Sequence, residues 1–275
     1  MANTIDWGEA SVNNTNGYGK GRINNTIRWG KIYESSASGD TNIGTATTPS
    51  FSATNSFSFD GVDETFIVNG ASNYAFTEDF TLMAWIKVDA IGNNQYIVDT
   101  SSSSSSGNGY SFRVLSSSGK IRFWSYSAFT TRIDSASALS AGVWNHVAVV
   151  HNSTQNKIYI NGVLDATKNL TSGHAVSNTT NLRIGSSQAF GDFFGGKIDE
   201  VAFFGTDLSS DINTIYNSGV SDLATYSPVG WFRMGENASF ASGTNIWTMT
   251  SVGSTTNTAD SRNMLEANKT TDVPT

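Results

Sequence analysis

The chain has 275 residues, a formal charge of −7 at pH 7 and no cysteine. This composition excludes a disulfide framework, a thiolate zinc site and a cysteine nucleophile, and it leaves no basic field for sequence-independent contact with nucleic acid. Charged residues are 14 % of the chain, against roughly 25 % in ordinary globular proteins; Ser, Thr, Asn and Gly replace them, which disfavours helical surfaces and suits strands and turns.

The first element is a repeat. Residues 3–33 contain NTIDWGEASVN, NTNGYGKGRIN and NTIRWGKIYES, starting at Asn3, Asn14 and Asn25. Each copy carries an aromatic-glycine pair: Trp7-Gly8, Tyr18-Gly19 and Trp29-Gly30. One large residue per copy is too little apolar surface for a private core. Residues 1–33 therefore read as an extended arm with three equivalent anchors, which docks to a partner or joins copies of the chain in an oligomer, a trimer among the options. Residues 34–55 are rich in Ser, Thr and Gly and read as a linker. The polar N-terminus has no apolar core of a secretory signal, and no apolar run approaches the length of a membrane span.

From residue 56 onward, short β-type runs alternate with turn signals. The pattern predicts strands over 56–60, 65–68, 80–89, 95–99, 110–115, 120–126, 143–151, 157–160, 181–185 and 197–204. Phe80, Leu82, Ala84, Ile86 and Val88 share one face of the third strand, opposite Thr81, Met83, Trp85 and Lys87. Asn161-Gly162 predicts a two-residue hairpin turn, because both central positions need positive φ. Leu208, Ile212 and Ile215 fall at helical spacing, with Ser209 or Ser210 as the cap and Gly219 after the end. Residues 218–275 read as a C-terminal extension, with apolar patches at SPVGWFRMGE and NIWTM and a polar, weakly ordered end.

The run FSFDGVDETFIV, DFTLMAWIKVD, GYSFRV, GKIRFWSYS, LSAGVWNHVAVVHN, KIYINGVLDATK, NLRIGS, FFGGKIDEVAFF resembles the successive strands of a laminin-G-like, concanavalin-A-like jelly roll over residues 56–217. The resemblance implies an all-β, two-sheet antiparallel sandwich with a short closing helix, whose usual work is binding carbohydrate or protein. The arm repeats, the linker and the jelly roll together resemble bacteriophage virion structural proteins: head decorations, fibres or tail appendages. That implies a non-enzymatic protein whose partners are capsid or tail proteins, with cell-surface glycans as a further partner. The alternative is a bacterial secreted or surface lectin, and a degraded glycosidase is a third reading.

The jelly-roll resemblance requires no cofactor but admits a structural calcium ion. Its candidate ligands are Asp60 and Asp63 with Asp199 and Glu200, because pairing of the first and last strands would bring Asp60 to Asp199; the preferred reading is that Asp60-Gly61 makes a simple turn and Asp199 hydrogen-bonds backbone at a strand end. A sugar site needs an exposed aromatic ring with polar neighbours. Trp85, Trp124 and Tyr126 on sheet faces, and Asn93, Asn94, Tyr96 and Phe129 in loops, are the candidates; Trp144 matches a structural position. No catalytic residue is assigned. Adjacent Asp199 and Glu200 should face opposite sides of a strand and so cannot form a glycosidase pair.

Overall fold

The computed structural model describes residues 53–101, 109–125, 131–170, 182–189 and 191–274. The three-repeat arm of residues 1–33, the linker up to residue 52, and Tyr126 and Phe129 lie outside the described residues.

The described strands are β1 (Ser56–Asp60), β2 (Thr65–Val68), β3 (Phe80–Val88), β4 (Gln95–Asp99), β5 (Tyr110–Val114), β6 (Lys120–Ser125), β7 (Ile133–Ala138), β8 (Asn145–His151), β9 (Gln155–Ile160), β10 (Val163–Asn169), β11 (Leu182–Ile184) and β12 (Gly195–Phe204). A short helix, α1 (Ile212–Asn217), follows. Then come β13 (Gly230–Phe232), β14 (Ala238–Ala241), β15 (Ile246–Thr250), β16 (Thr258–Arg262) and β17 (Lys269–Thr270).

These strands form two antiparallel sheets. One runs β10-β9-β8-β3-β12-β1-β17, with β13 also pairing β12; the other runs β14-β15-β16-β2-β11-β4-β5-β6-β7. This is the all-β jelly-roll sandwich that the sequence predicts. Alternation along each strand sends one set of side chains between the sheets. Phe57, Phe59, Phe80, Leu82, Ile86, Val147, Val149, Ile198 and Phe203 come from the first sheet, and Phe66, Val98, Phe112, Phe123, Ile184, Trp247 and Met249 from the second. Edge-to-face pairs such as Phe57–Phe66, with ring centroids 4.9 Å apart, interlock the layers.

Local chemistry sets the turns. Asn161 and Gly162 take φ of 50° and 77°, so the hairpin between β9 and β10 closes as the sequence predicts. Leu208, Ile212 and Ile215 are all buried. Asp211, not Ser209 or Ser210, precedes the helix, and its side chain makes no capping hydrogen bond. Gly219 follows the helix with φ 65°.

Residues 218–275 supply strands to both sheets. β13 and β17 join the first, and β14, β15 and β16 extend the second past β2. The weak order expected of the polar end is corrected, because alternation still puts Ala259 of β16 and Met249 of β15 into the core.

Candidate functional site

The outer face of the nine-stranded sheet is crossed by two rows of side chains. Cross-strand register places Thr248, Asp260, Ile67, Arg183, Asp99, Ser111 and Trp124 in one row from β15 to β6. Tyr96, Arg113, Arg122 and Asp134 form a second row from β4 to β7. Directly opposed residues on one face are contact neighbours. Arg122 therefore grips Asp134 with both prongs, Nε to Oδ1 at 2.6 Å and one terminal nitrogen to Oδ2 at 2.7 Å. That hydrogen bond holds the Asp134 carboxyl below its ordinary pKa. The Arg113 guanidinium lies 4.8 Å over the Tyr96 ring and donates to its hydroxyl.

In the first row, Arg183 donates to the carbonyls of Ser187 and Gln188 at 2.9 and 2.8 Å. Asp99 accepts from the N–H groups of Ser101 and Gln188 at 3.0 and 2.7 Å. Burial raises the Asp99 pKa to about 6, although these hydrogen bonds and Arg113 pull it down. Arg113, Arg122, Asp134 and Asn94 are only half-buried, so the second row is the more accessible of the two.

The outer face of the other sheet is closed. Met83, Ala148, Val150, Tyr159, Ala202 and Phe204, with Trp231 of β13 beside Ala202, pack against Leu208, Ile212, Ile215 and Leu223. Trp85 packs against Tyr216 and His146, with ring centroids at 5.7 and 5.3 Å. Neither ring nitrogen of His146 has a hydrogen-bond partner, and burial lowers its pKa to about 4.

Beside β12, between its pairing with the start of β1 and its pairing with the end of β13, three carboxylates converge. One oxygen each from Asp199, Glu200 and Glu236 lies within 4.8 Å of the others. Asp199 is 0 % and Glu200 3 % exposed. The register of β12 against β3 shifts between Asp199 and Ala202, and Glu200 takes φ 50°. This bulge turns two consecutive side chains to one site, so the expectation that they face opposite sides is corrected. A Cβ at Gly235 would lie 2.2 Å from the Asn55 Cβ, so glycine is what lets the loop after β13 approach the start of β1 and deliver Glu236. Burial, reinforced by the two neighbouring carboxylates, pushes the Asp199 pKa well up. Burial also raises Glu200 to about 7 against the pull of Arg233 and Trp231.

The residues singled out from the sequence separate as follows. Trp85, Tyr96 and Trp124 are 7 %, 6 % and 9 % exposed, so none is the open ring platform expected of it. Tyr96 and Trp124 share the outer face of the nine-stranded sheet, whereas Trp85 belongs to the closed face. Asn93 and Asn94 sit in the turn before β4, where the Asn94 side chain accepts from the Ser116 N–H at 3.2 Å. The first and last jelly-roll strands do pair, but Asp60 stands opposite Gly195. That register sets it four residues, about 13 Å, from Asp199, and the Asp60–Asp199 ion site is corrected. Asp60 accepts from the Val62 N–H at 2.7 Å and makes the turn, with Gly61 at φ 79°. Asp63 is exposed in the same turn. Arg113, Arg122, Asp134 and Glu236 were not singled out; only the outward alternation of β5 and β6 pointed to the two arginines.

A family model described as the concanavalin A-like lectin/glucanases superfamily matches residues 59–212. The chain belongs to that family. No curated protein sequence matches it. Among solved structures, this lectin/glucanase-family chain is similar to a candidate carbohydrate binding protein from Bacteroides ovatus, with TM-score 0.60 and 16 % identity over 82 % of this chain. The match spans 62 % of that protein's length. The CBM40 module of an IT-sialidase from Ruminococcus gnavus matches with TM-score 0.49 and 18 % identity, over 60 % of this chain and all of the module. The heptameric SAP-like pentraxin of Limulus polyphemus matches with TM-score 0.47 and 18 % identity, over 60 % of this chain and 82 % of that one.

Proposed function

We propose that the protein is a carbohydrate-binding, lectin-type module without catalytic activity, acting outside a cell or at its surface. The observation that carries this reading is the half-buried row of Arg113, Arg122 and Asp134 on the outer face of the nine-stranded sheet. Guanidinium donors and a carboxylate acceptor, already fixed by Tyr96 and by each other, match the donor and acceptor pattern of vicinal sugar hydroxyls. The superfamily description and the fold shared with the Bacteroides ovatus protein support the class. The test is a glycan array probed with the full chain, followed by titration of the best ligand. Arg122→Ala and Asp134→Ala should each weaken binding tenfold or more while the melting temperature stays within a few degrees. No glycan bound above background, or unchanged affinity in both variants, would reject the reading.

A second reading places the same module on a bacteriophage particle. The three-copy repeat with Trp7-Gly8, Tyr18-Gly19 and Trp29-Gly30 favours it, since evenly spaced aromatics suit equivalent contacts on a symmetric partner or in a homotrimer. Replacing all three aromatics with alanine should abolish oligomerisation or particle attachment and leave glycan binding intact. A triple variant that assembles as the parent does would remove this setting.

A further inference from the structure

We propose that Asn69 is a spontaneous modification site: it deamidates through Gly70, and the carboxylate so formed weakens the seam between β2 and β16. Asn-Gly occurs at Asn16, Asn69, Asn108 and Asn161. Asn16 and Asn108 lie outside the described residues, and the structure separates the other two. Asn161 is clamped at both ends of its amide: Oδ1 accepts from the His146 N–H at 2.9 Å, and Nδ2 donates to Asn145 at 3.2 Å. Its Gly162 is buried, with the Tyr216 ring 2.8 Å from where a Cβ would lie. Asn69 and Gly70, by contrast, are both exposed just past the end of β2. Among the described residues the Asn69 amide is held through Nδ2, which donates to Thr258 Oγ1 at 3.0 Å and to Asp260 Oδ2 at 3.1 Å. No described residue accepts from the Gly70 N–H.

The reaction needs water alone. The Gly70 nitrogen attacks the side-chain carbonyl carbon of Asn69 and gives up its proton. The bond from that carbon to the amide nitrogen breaks, and ammonia leaves with the proton. A five-membered succinimide remains, and water opens it at either carbonyl to give aspartate or isoaspartate. Glycine, with no side chain, leaves its nitrogen open for ring closure. Asp260 makes the product matter. It stands opposite Ile67 in the β2–β16 register, and Asn69 is two residues further on, so the two side chains share one face. Amide and carboxylate attract there; two carboxylates repel. Isoaspartate also adds a methylene to the main chain next to the Asn69 N–H, which donates to the Thr258 carbonyl at 2.8 Å. Both effects fall on the contact through which β14, β15 and β16 join β2.

The full chain is aged at pH 9 and 37 °C, and its digests are read by mass spectrometry, which assigns each Asn-Gly site separately. Asn69 should gain one dalton and form isoaspartate at least ten times faster than Asn161. Asn69→Asp should lower the melting temperature by about 2–4 °C, the shift expected when like charges meet across a strand pair. In an Asp260→Asn background the same substitution should cost less than half as much. If Asp260→Asn does not fold, salt decides: the loss in Asn69→Asp should shrink as ionic strength rises, because exposed charges are screened. An Asn69 that reacts no faster than Asn161, an Asn69→Asp variant as stable as the parent, or a loss that neither Asp260→Asn nor salt reduces would overturn the proposal.

Discussion

Tyr216 lies over Trp85, with ring centroids 5.7 Å apart and planes 29° from parallel. A helix residue thus seals a strand tryptophan whose indole would otherwise face solvent. Trp85→Ala should cost about 3 kcal/mol, the lower end for deleting a buried large aromatic. It should leave glycan affinity unchanged, since the ring is on the closed face. Chemical denaturation with parallel ligand titration checks both. A variant as stable as the parent that no longer binds sugar would return Trp85 to the list of ligand residues.

His146 makes the acid limb of stability steeper. Burial holds its pKa at about 4 in the folded chain, against 6.5 in the unfolded one. Between these values the unfolded chain holds the extra proton, so stability falls as pH drops through that window. The contribution is about 3 kcal/mol by pH 4. Asp99 at about 6 and Glu200 at about 7 act oppositely, because the native state holds their protons and gains as pH falls. His146→Leu isolates the histidine: relative to the parent it should gain stability steadily from pH 6.5 to 4. Parallel stability curves for the two proteins across that range would refute this.

Asp272 ties the end of the fold to its middle. Its carboxylate accepts from Lys87, from Lys197 and from the Trp144 indole, the last at 2.9 Å. Although partial burial opposes ionisation, these hydrogen bonds hold its pKa below the usual value. The stabilisation is therefore present above pH 3.8 and lost below it. Asp272→Ala should cost about 1 kcal/mol at neutral pH, as expected for a partly exposed ion pair, and almost nothing at pH 2–3. A difference that persists at pH 2–3 would show that packing, not charge, is at stake.

The strands of the jelly roll were legible wherever apolar residues alternated, as in β3 and β12, or clustered, as in β8. β7 was not, because IDSASA offers Ile133 as its one large inward residue. β13 to β17 were hidden by their brevity and by polar composition, as in TADSR. The carboxylate cluster was partly legible. Ile198, Val201 and Phe203 face the core, and a step of three between the first two breaks the period of a strand. That break marks the bulge which brings Asp199 and Glu200 together. Glu236 left no such mark, since it reaches the site from a loop some 36 residues further along the chain.

β1 lies between β12 and β17, and β2 lies between β11 and β16. A shortened chain that stops after residue 217, where the jelly-roll resemblance stops, would strip one neighbour from each. Both strands would then offer unpaired N–H and C=O groups to another molecule, the template for edge-to-edge aggregation. Such a fragment should be insoluble or self-associating even though every residue of the matched family segment is present, and the smallest piece worth expressing runs to Asp272.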